Sequence, residues 1–193
     1  AKMTGTEMTY ELYAGLSDYI PNHVLSEVLH ESMEEIGAPK YDEADFALAS
    51  KFFHETATPE EMEAKRASLR KLFGADHMEE IEAHPLHTSI APLVWNGKVQ
   101  AGSTDVGDVQ HIQPVLTFNT GGKVSGLHSV DFDIVDDELA YIVTAKIFAL
   151  SAYRLLKNGA AKAKEVVENY HPIFTKDTYI QYMDSFISES IDL

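Results

Sequence analysis

From about Asp136 to Lys157 the chain carries a long helical run that is apolar on most sides, through Leu139, Ile142, Val143, Ile147, Leu150 and Leu155. A surface helix keeps one face polar for water; this pattern predicts instead a helix packed between other elements. That requirement calls for layers of structure around it. Asp133, Asp136, Asp137 and Glu138 gather at its start, where the positive end of the helix dipole favours carboxylates.

The rest of the chain supplies candidate layers. Thr6 to Tyr13 alternates Met8, Tyr10 and Leu12 with polar residues, the period of a half-buried strand. Asn22 is placed to cap a helix with apolar face Leu25, Val28, Leu29, Met33 and Ile36 and a stop at Gly37. A second amphipathic helix is expected from Asp42 to about Glu55. Thr58, Pro59 and Glu61 form the start of a third, a capping box with proline in the first turn, and Gly74 ends it. From Ser89 to His128, short apolar runs broken at Asn96–Gly97 and Gly121–Gly122 read as strands, Val115 to Asn119 being the expected buried one. Helices near Ala161–Tyr170 and Thr175–Ile187 complete an α/β chain with no internal repeat.

A chain of 193 residues that is 45% hydrophobic can bury a core, and its length suits one domain. Thirty-one acidic residues against 15 basic ones give a net charge of −16, which disfavours nucleic acid and anionic membranes as partners. Without cysteine, neither a disulfide nor a thiolate metal site forms within the chain. No leader pattern opens it and no apolar run is read as long enough to span a bilayer, so a cytoplasmic protein is expected. The alternating pattern so close to Ala1 reads as a chain entered in mid-fold.

Three places could carry chemistry. His128, in Gly126-Leu127-His128-Ser129, lies between a strand-rich stretch and an acidic helix start, where open α/β sheets place ligands. A neutral imidazole there could bind zinc, or simply bond a loop carbonyl, since one histidine makes no metal site. Gly102-Ser103-Thr104-Asp105-Val106-Gly107-Asp108 suits a tight loop beside a cation or polar ligand, and equally an ordinary turn with aspartates on local amides. His84 and His87 have ligand spacing, but Pro85 between them favours a surface loop. His111, close after Asp108, is an outside candidate.

Several stretches together resemble the aminoacylase/carboxypeptidase family of metal-dependent amidohydrolases, in particular its p-aminobenzoyl-glutamate hydrolase group. They are Met3-Thr4-Gly5-Thr6, Tyr19 to Leu25, Glu34 to Pro39, Gly102 to Val109, and Gly126-Leu127-His128-Ser129 before the acidic helix start. The resemblance implies part of a three-layer αβα catalytic domain, with residues 1–20 ending a lid and dimerisation domain and 21–193 forming the C-terminal part of the catalytic domain. It implies amide hydrolysis of N-acyl or N-aroyl amino acids, or of short peptides, at two divalent metals, zinc or manganese, that activate a water.

By the same resemblance His128 is a metal ligand, Asp105 and Asp108 are walls of the metal site, and Asn22 approaches substrate. No catalytic residue falls within this chain, because the family's general base and remaining ligands lie upstream. The implied partners are a small amide substrate, a missing N-terminal half or partner chain, and a second copy in a homo-oligomer. The isolated chain is expected to be inactive. The alternative is a non-catalytic α/β interaction module retaining a remnant of the fold.

Overall fold

The computed structural model describes residues 2–8, 15–19, 21–56, 58–74, 78, 86–93, 104–124 and 130–186. His128, Gly102, Ser103, His84 and the Asn96–Gly97 turn lie outside the described residues. Of the expected first strand, residues 6–8 are described and form no strand, and 9–13 lie outside. The chain divides into two compact units. One gathers Ala1–Leu25, Asn96–Thr117 and Lys164–Leu193; the other gathers Ser26–Trp95 and Phe118–Ala163. The expected boundary after residue 20 falls within the first segment of the first unit.

Local chemistry sets the helices. The Asn22 side-chain oxygen accepts the Leu25 N–H at 3.0 Å and starts α1, His23–Ile36. Gly37, at φ 98°, ends it in a conformation that favours glycine. The most buried residues of α1 include Val28 and Ser32, whose hydroxyl returns to the Val28 carbonyl at 2.7 Å and so is satisfied without water. Asp42 caps α2, Glu43–Thr56, by accepting the Ala44 and Asp45 N–H groups at 2.7 and 3.0 Å. Thr58 and Glu61 bond each other's backbone N–H reciprocally at the start of α3, Pro59–Phe73, which Gly74 ends at φ 84°. None of the α3 residues is buried.

In the second unit Ala49 of α2 packs with Leu86 and Val124, ringed by Tyr41, Phe46, Phe52 and Val135. Val124 belongs to β1, Lys123–Val124, which pairs antiparallel with β2, Asp133–Ile134, as Lys123 opposite Ile134 and Val124 opposite Asp133. This two-stranded ladder is the only sheet among the described residues. Gly122 holds its base. A Cβ there would stand 2.6 Å from both the Ala140 nitrogen and the Asp136 carbonyl, and φ is 88°. The expected buried strand at Val115–Asn119 is corrected. Residues 114–120 form neither helix nor strand and join no ladder among the described residues, and Thr117 and Asn119 are exposed.

The long apolar helix is present, but it is not enclosed. A π-helical turn, Glu138–Val143, entered through an Asp136 carboxylate that accepts the Leu139 N–H, leads into α4, Thr144–Glu168. Regular geometry breaks at Lys157–Ala160, where Asn158, Gly159 and Ala160 all take positive φ, so the two helices expected here form as such. Leu139, Ile147 and Ser151 are buried, whereas Phe148 is 60% and Leu156 68% exposed. The apolar pattern specified burial, and only one flank of the helix meets protein within the unit. By length and composition alone, Glu138–Glu168 is apolar enough to cross a membrane, contrary to the expectation that no such run exists.

Two further helices belong to the first unit: a short one at Asp105–Gln110, and α5, Lys176–Asp184, capped reciprocally by Thr175 and Thr178.

Candidate functional site

The Gly102–Asp108 motif is not simply a loop. From Asp105 to Gln110 it is helical, capped by the Thr104 hydroxyl, which accepts the Val106 N–H at 3.4 Å. A six-residue helix has little stability of its own. Tertiary contacts hold it. Asp108 accepts the Ser17 N–H at 2.8 Å, and the Gln110 amide donates to the Asp18 carbonyl at 3.0 Å. Between these bonds, Gly107 is pressed onto the backbone of Ser17 and Asp18 so closely that a Cβ would lie 2.1 Å from the Ser17 oxygen.

Asp108 has a second partner. The Tyr179 hydroxyl on α5 is hydrogen-bonded to its carboxylate and to the Ser17 side chain. Burial raises the Tyr179 pKa most, the Asp108 hydrogen bond and charge add to it, and the phenol is pushed up to about 12. The phenol therefore stays protonated through the neutral range, a donor to a carboxylate it helps to fix. Beside it, buried His111 stacks on the Tyr179 ring at 6.2 Å and meets Phe174 edge-on at 5.6 Å. Phe174 in turn stacks on Tyr182 at 4.9 Å, and its N–H reaches the His111 carbonyl at 3.3 Å. Tyr170 donates its hydroxyl to the Gln110 carbonyl.

The expected site residues fare unequally. Asp108 is built into this network, its carboxylate bonded to the Ser17 N–H and the Tyr179 hydroxyl. Asp105 is exposed and, among the described residues, accepts the Thr104 hydroxyl at 3.3 Å. Asn22 caps α1 and sends its N–H to the Val115 carbonyl at 3.2 Å. His128, and with it the expected proximity of His128 to the Gly102–Asp108 segment, lies outside the described residues. His87 stacks on Phe73 at 5.5 Å, and burial, aided by the Lys65 charge, holds its pKa below the ordinary histidine value. Among the described residues no group of three or more His, Asp or Glu could hold a metal ion, so they do not furnish a metal centre by themselves.

Sequence reasoning misses Ser17, Gln110 and Tyr179. The available signal is the spacing of Tyr179, Tyr182 and Phe186, which a helix brings to one face. Arg154 is also engaged, bonding Glu31 and Glu35 of α1.

Comparison with known proteins adds one similarity. No known family profile matches the chain, and no solved structure matches it. Over 122 residues it is 28% identical to a subunit of the p-aminobenzoyl-glutamate hydrolase of Escherichia coli (strain K12). The match covers 60% of this chain and spans 24% of the length of that relative. At that distance, the chain is similar to part of an amidohydrolase.

Proposed function

We propose that this chain is part of a metal-dependent amidohydrolase that cleaves N-acyl or N-aroyl amino acids, p-aminobenzoyl-glutamate foremost, or short peptides. The similarity to the Escherichia coli hydrolase subunit carries the reading. In it, the chain completes a three-layer αβα catalytic domain and contributes one metal ligand, His128, to a two-metal site of zinc or manganese. The described residues do not by themselves fit such a centre, and by the family resemblance the other ligands and the general base would come from polypeptide beyond this chain. Asp108 would act as a wall of the site, aimed by the Ser17 N–H and the Tyr179 hydroxyl.

The substrate carboxylate needs a donor from elsewhere. Arg154 is occupied by Glu31 and Glu35, and Arg66 and Arg70 sit on α3, which buries no residue. The relative is one subunit of a hydrolase, and a partner chain is accordingly proposed here, with a homo-oligomeric, cytoplasmic enzyme as the assembled form.

The test is hydrolysis of p-aminobenzoyl-glutamate with zinc or manganese, by the chain alone and after co-expression with the Escherichia coli subunit deleted for its matched segment. The chain alone should show no turnover and the pair should show turnover, lost in His128→Ala and kept in His87→Ala. Turnover by the chain alone, or none by the pair, would overturn the proposal.

A further inference from the structure

Three consecutive residues within α4 stand in the left-handed region. They are Asn158 at φ 54° and ψ 42°, Gly159 at φ 68° and ψ 29°, and Ala160 at φ 59° and ψ 36°, after Lys157 at ψ 163°. Asparagine and glycine enter that region readily, whereas alanine is strained there. Asn158 and Gly159 are both exposed, and a Cβ built on Gly159 would meet no atom within 4 Å. The pair forms an open turn between two stretches of helix.

That turn holds the groups of one reaction. Asparagine is thermolabile because the backbone nitrogen of the next residue can attack its carboxamide. A regular helix slows the attack, since it fixes ψ and bonds that N–H to the carbonyl four residues back. Such a bond from Gly159 requires helical angles at the residues before it, and Lys157 and Asn158 have left them. A side chain on the next residue also slows the attack by crowding the nitrogen, and Gly159 has none. The other exposed asparagines among the described residues are placed differently. Asn119 precedes Thr120 and accepts the Lys123 ammonium at 3.4 Å; Asn169 precedes Tyr170 and donates to the Glu165 carbonyl at 2.9 Å.

We propose that Asn158 is a site of spontaneous deamidation, converting in the folded chain to aspartate and isoaspartate. The Gly159 nitrogen gives its proton to hydroxide and bonds to the Asn158 Cγ. The Cγ–Nδ2 bond breaks, and Nδ2 leaves as ammonia with a proton from water. The five-membered ring so formed then takes up water. Opening between Cγ and the Gly159 nitrogen gives aspartate. Opening between that nitrogen and the Asn158 carbonyl carbon gives isoaspartate, whose main chain runs through Cγ. Overall a water is consumed and an ammonia released, with no change of oxidation state. The attack needs ψ of Asn158 to swing away from 42°, which a turn with nothing packed over Gly159 allows. Either product adds a negative charge next to Lys157, and the extra main-chain carbon of isoaspartate falls where the helix is already broken.

The experiment incubates the folded chain in mildly alkaline buffer, beside a sample unfolded in guanidinium chloride. Tryptic peptides are read by mass spectrometry for exchange of amide for acid, and an isoaspartate methyltransferase with labelled S-adenosylmethionine counts isoaspartate. The Asn96–Gly97 pair, outside the described residues, falls in a separate peptide. Asn158 should convert in the folded chain as fast as in the unfolded one, with isoaspartate formed, while Asn119 and Asn169 keep their amides. Gly159→Ala should suppress the conversion and Asn158→Gln should abolish it, with circular dichroism showing helicity kept in both.

Retention of the Asn158 amide in the folded chain overturns the proposal, because the fold then guards the site. Conversion of Asn119 or Asn169 at the same rate overturns it too, since exposure alone would then decide. Undiminished conversion in Gly159→Ala does the same. Amide loss without isoaspartate would mean direct hydrolysis with no ring, which also contradicts it.

Discussion

Gly107→Ala should be among the most damaging single-methyl changes available in this chain. Its Cβ would stand 2.1 Å from the Ser17 oxygen and 2.9 Å from both the Asp18 oxygen and the Ser17 carbon, all backbone atoms that no rotamer change can move. Ordinary contact requires the short helix to retreat by more than about 1 Å. That retreat breaks the 2.8 Å Ser17–Asp108 bond and the 3.0 Å Gln110–Asp18 bond. Overpacking costs about 1–3 kcal/mol, and the charge-assisted bond about 1.5–3 more. Because one displacement causes both losses they do not simply add, and about 3 kcal/mol is expected.

Gly37→Ala is the control. Its φ of 98° strains alanine, but no atom lies within 4 Å of the added carbon, so it should cost only about 1 kcal/mol. Urea unfolding followed by tyrosine near-ultraviolet dichroism measures both. A Gly107→Ala midpoint equal to that of Gly37→Ala would refute the packing argument.

Other outcomes follow from single contacts. Tyr179 should ionise near 12 by phenolate absorbance, and Asp108→Asn should bring it back toward 10; an unmoved midpoint would contradict the bond. Since the folded phenol pKa lies above the unfolded one, the stability it lends is complete below pH 10 and is lost as pH rises toward 12. His87 works in the opposite sense. Its folded pKa is depressed below 6.5, so stability should decline as pH falls below that value, and His87→Gln should flatten the decline in acid unfolding curves. Arg154→Met leaves Glu31 and Glu35 without their shared cation; both carboxylates are more than half exposed, so solvent screening limits the loss to about 1 kcal/mol in urea unfolding.

Features written in a few adjacent residues are legible in the sequence. Asn22, Thr58 with Glu61, Gly37 and Gly74 act through partners three or four positions away, and each does what its spacing implies. The break after Lys157 is of the same kind, since Asn158 and Gly159 tolerate positive φ. Features that depend on distant chain are not. Nothing near Gly107 in sequence announces the Ser17 backbone above it, and nothing near Asp108 announces Tyr179. The helix at Asp105–Gln110 reads as a loop because six residues offer too short a pattern. The enclosure expected of α4 shows the remaining gap: periodicity specifies which faces must leave water, but not whether their cover belongs to the same chain. The metal ligand assigned to His128 rests on resemblance and lies outside the described residues.

The central claim, that this chain supplies one ligand to a two-metal hydrolase centre, is tested most directly by metal content. The chain and its complex with the Escherichia coli subunit lacking the matched segment would be dialysed with zinc and analysed by elemental mass spectrometry. The account predicts about two zinc ions per site in the complex, weak and substoichiometric zinc on the chain alone, and loss of zinc from the complex in His128→Ala. A well-formed complex that holds no metal would contradict it and leave a non-catalytic interaction module in its place.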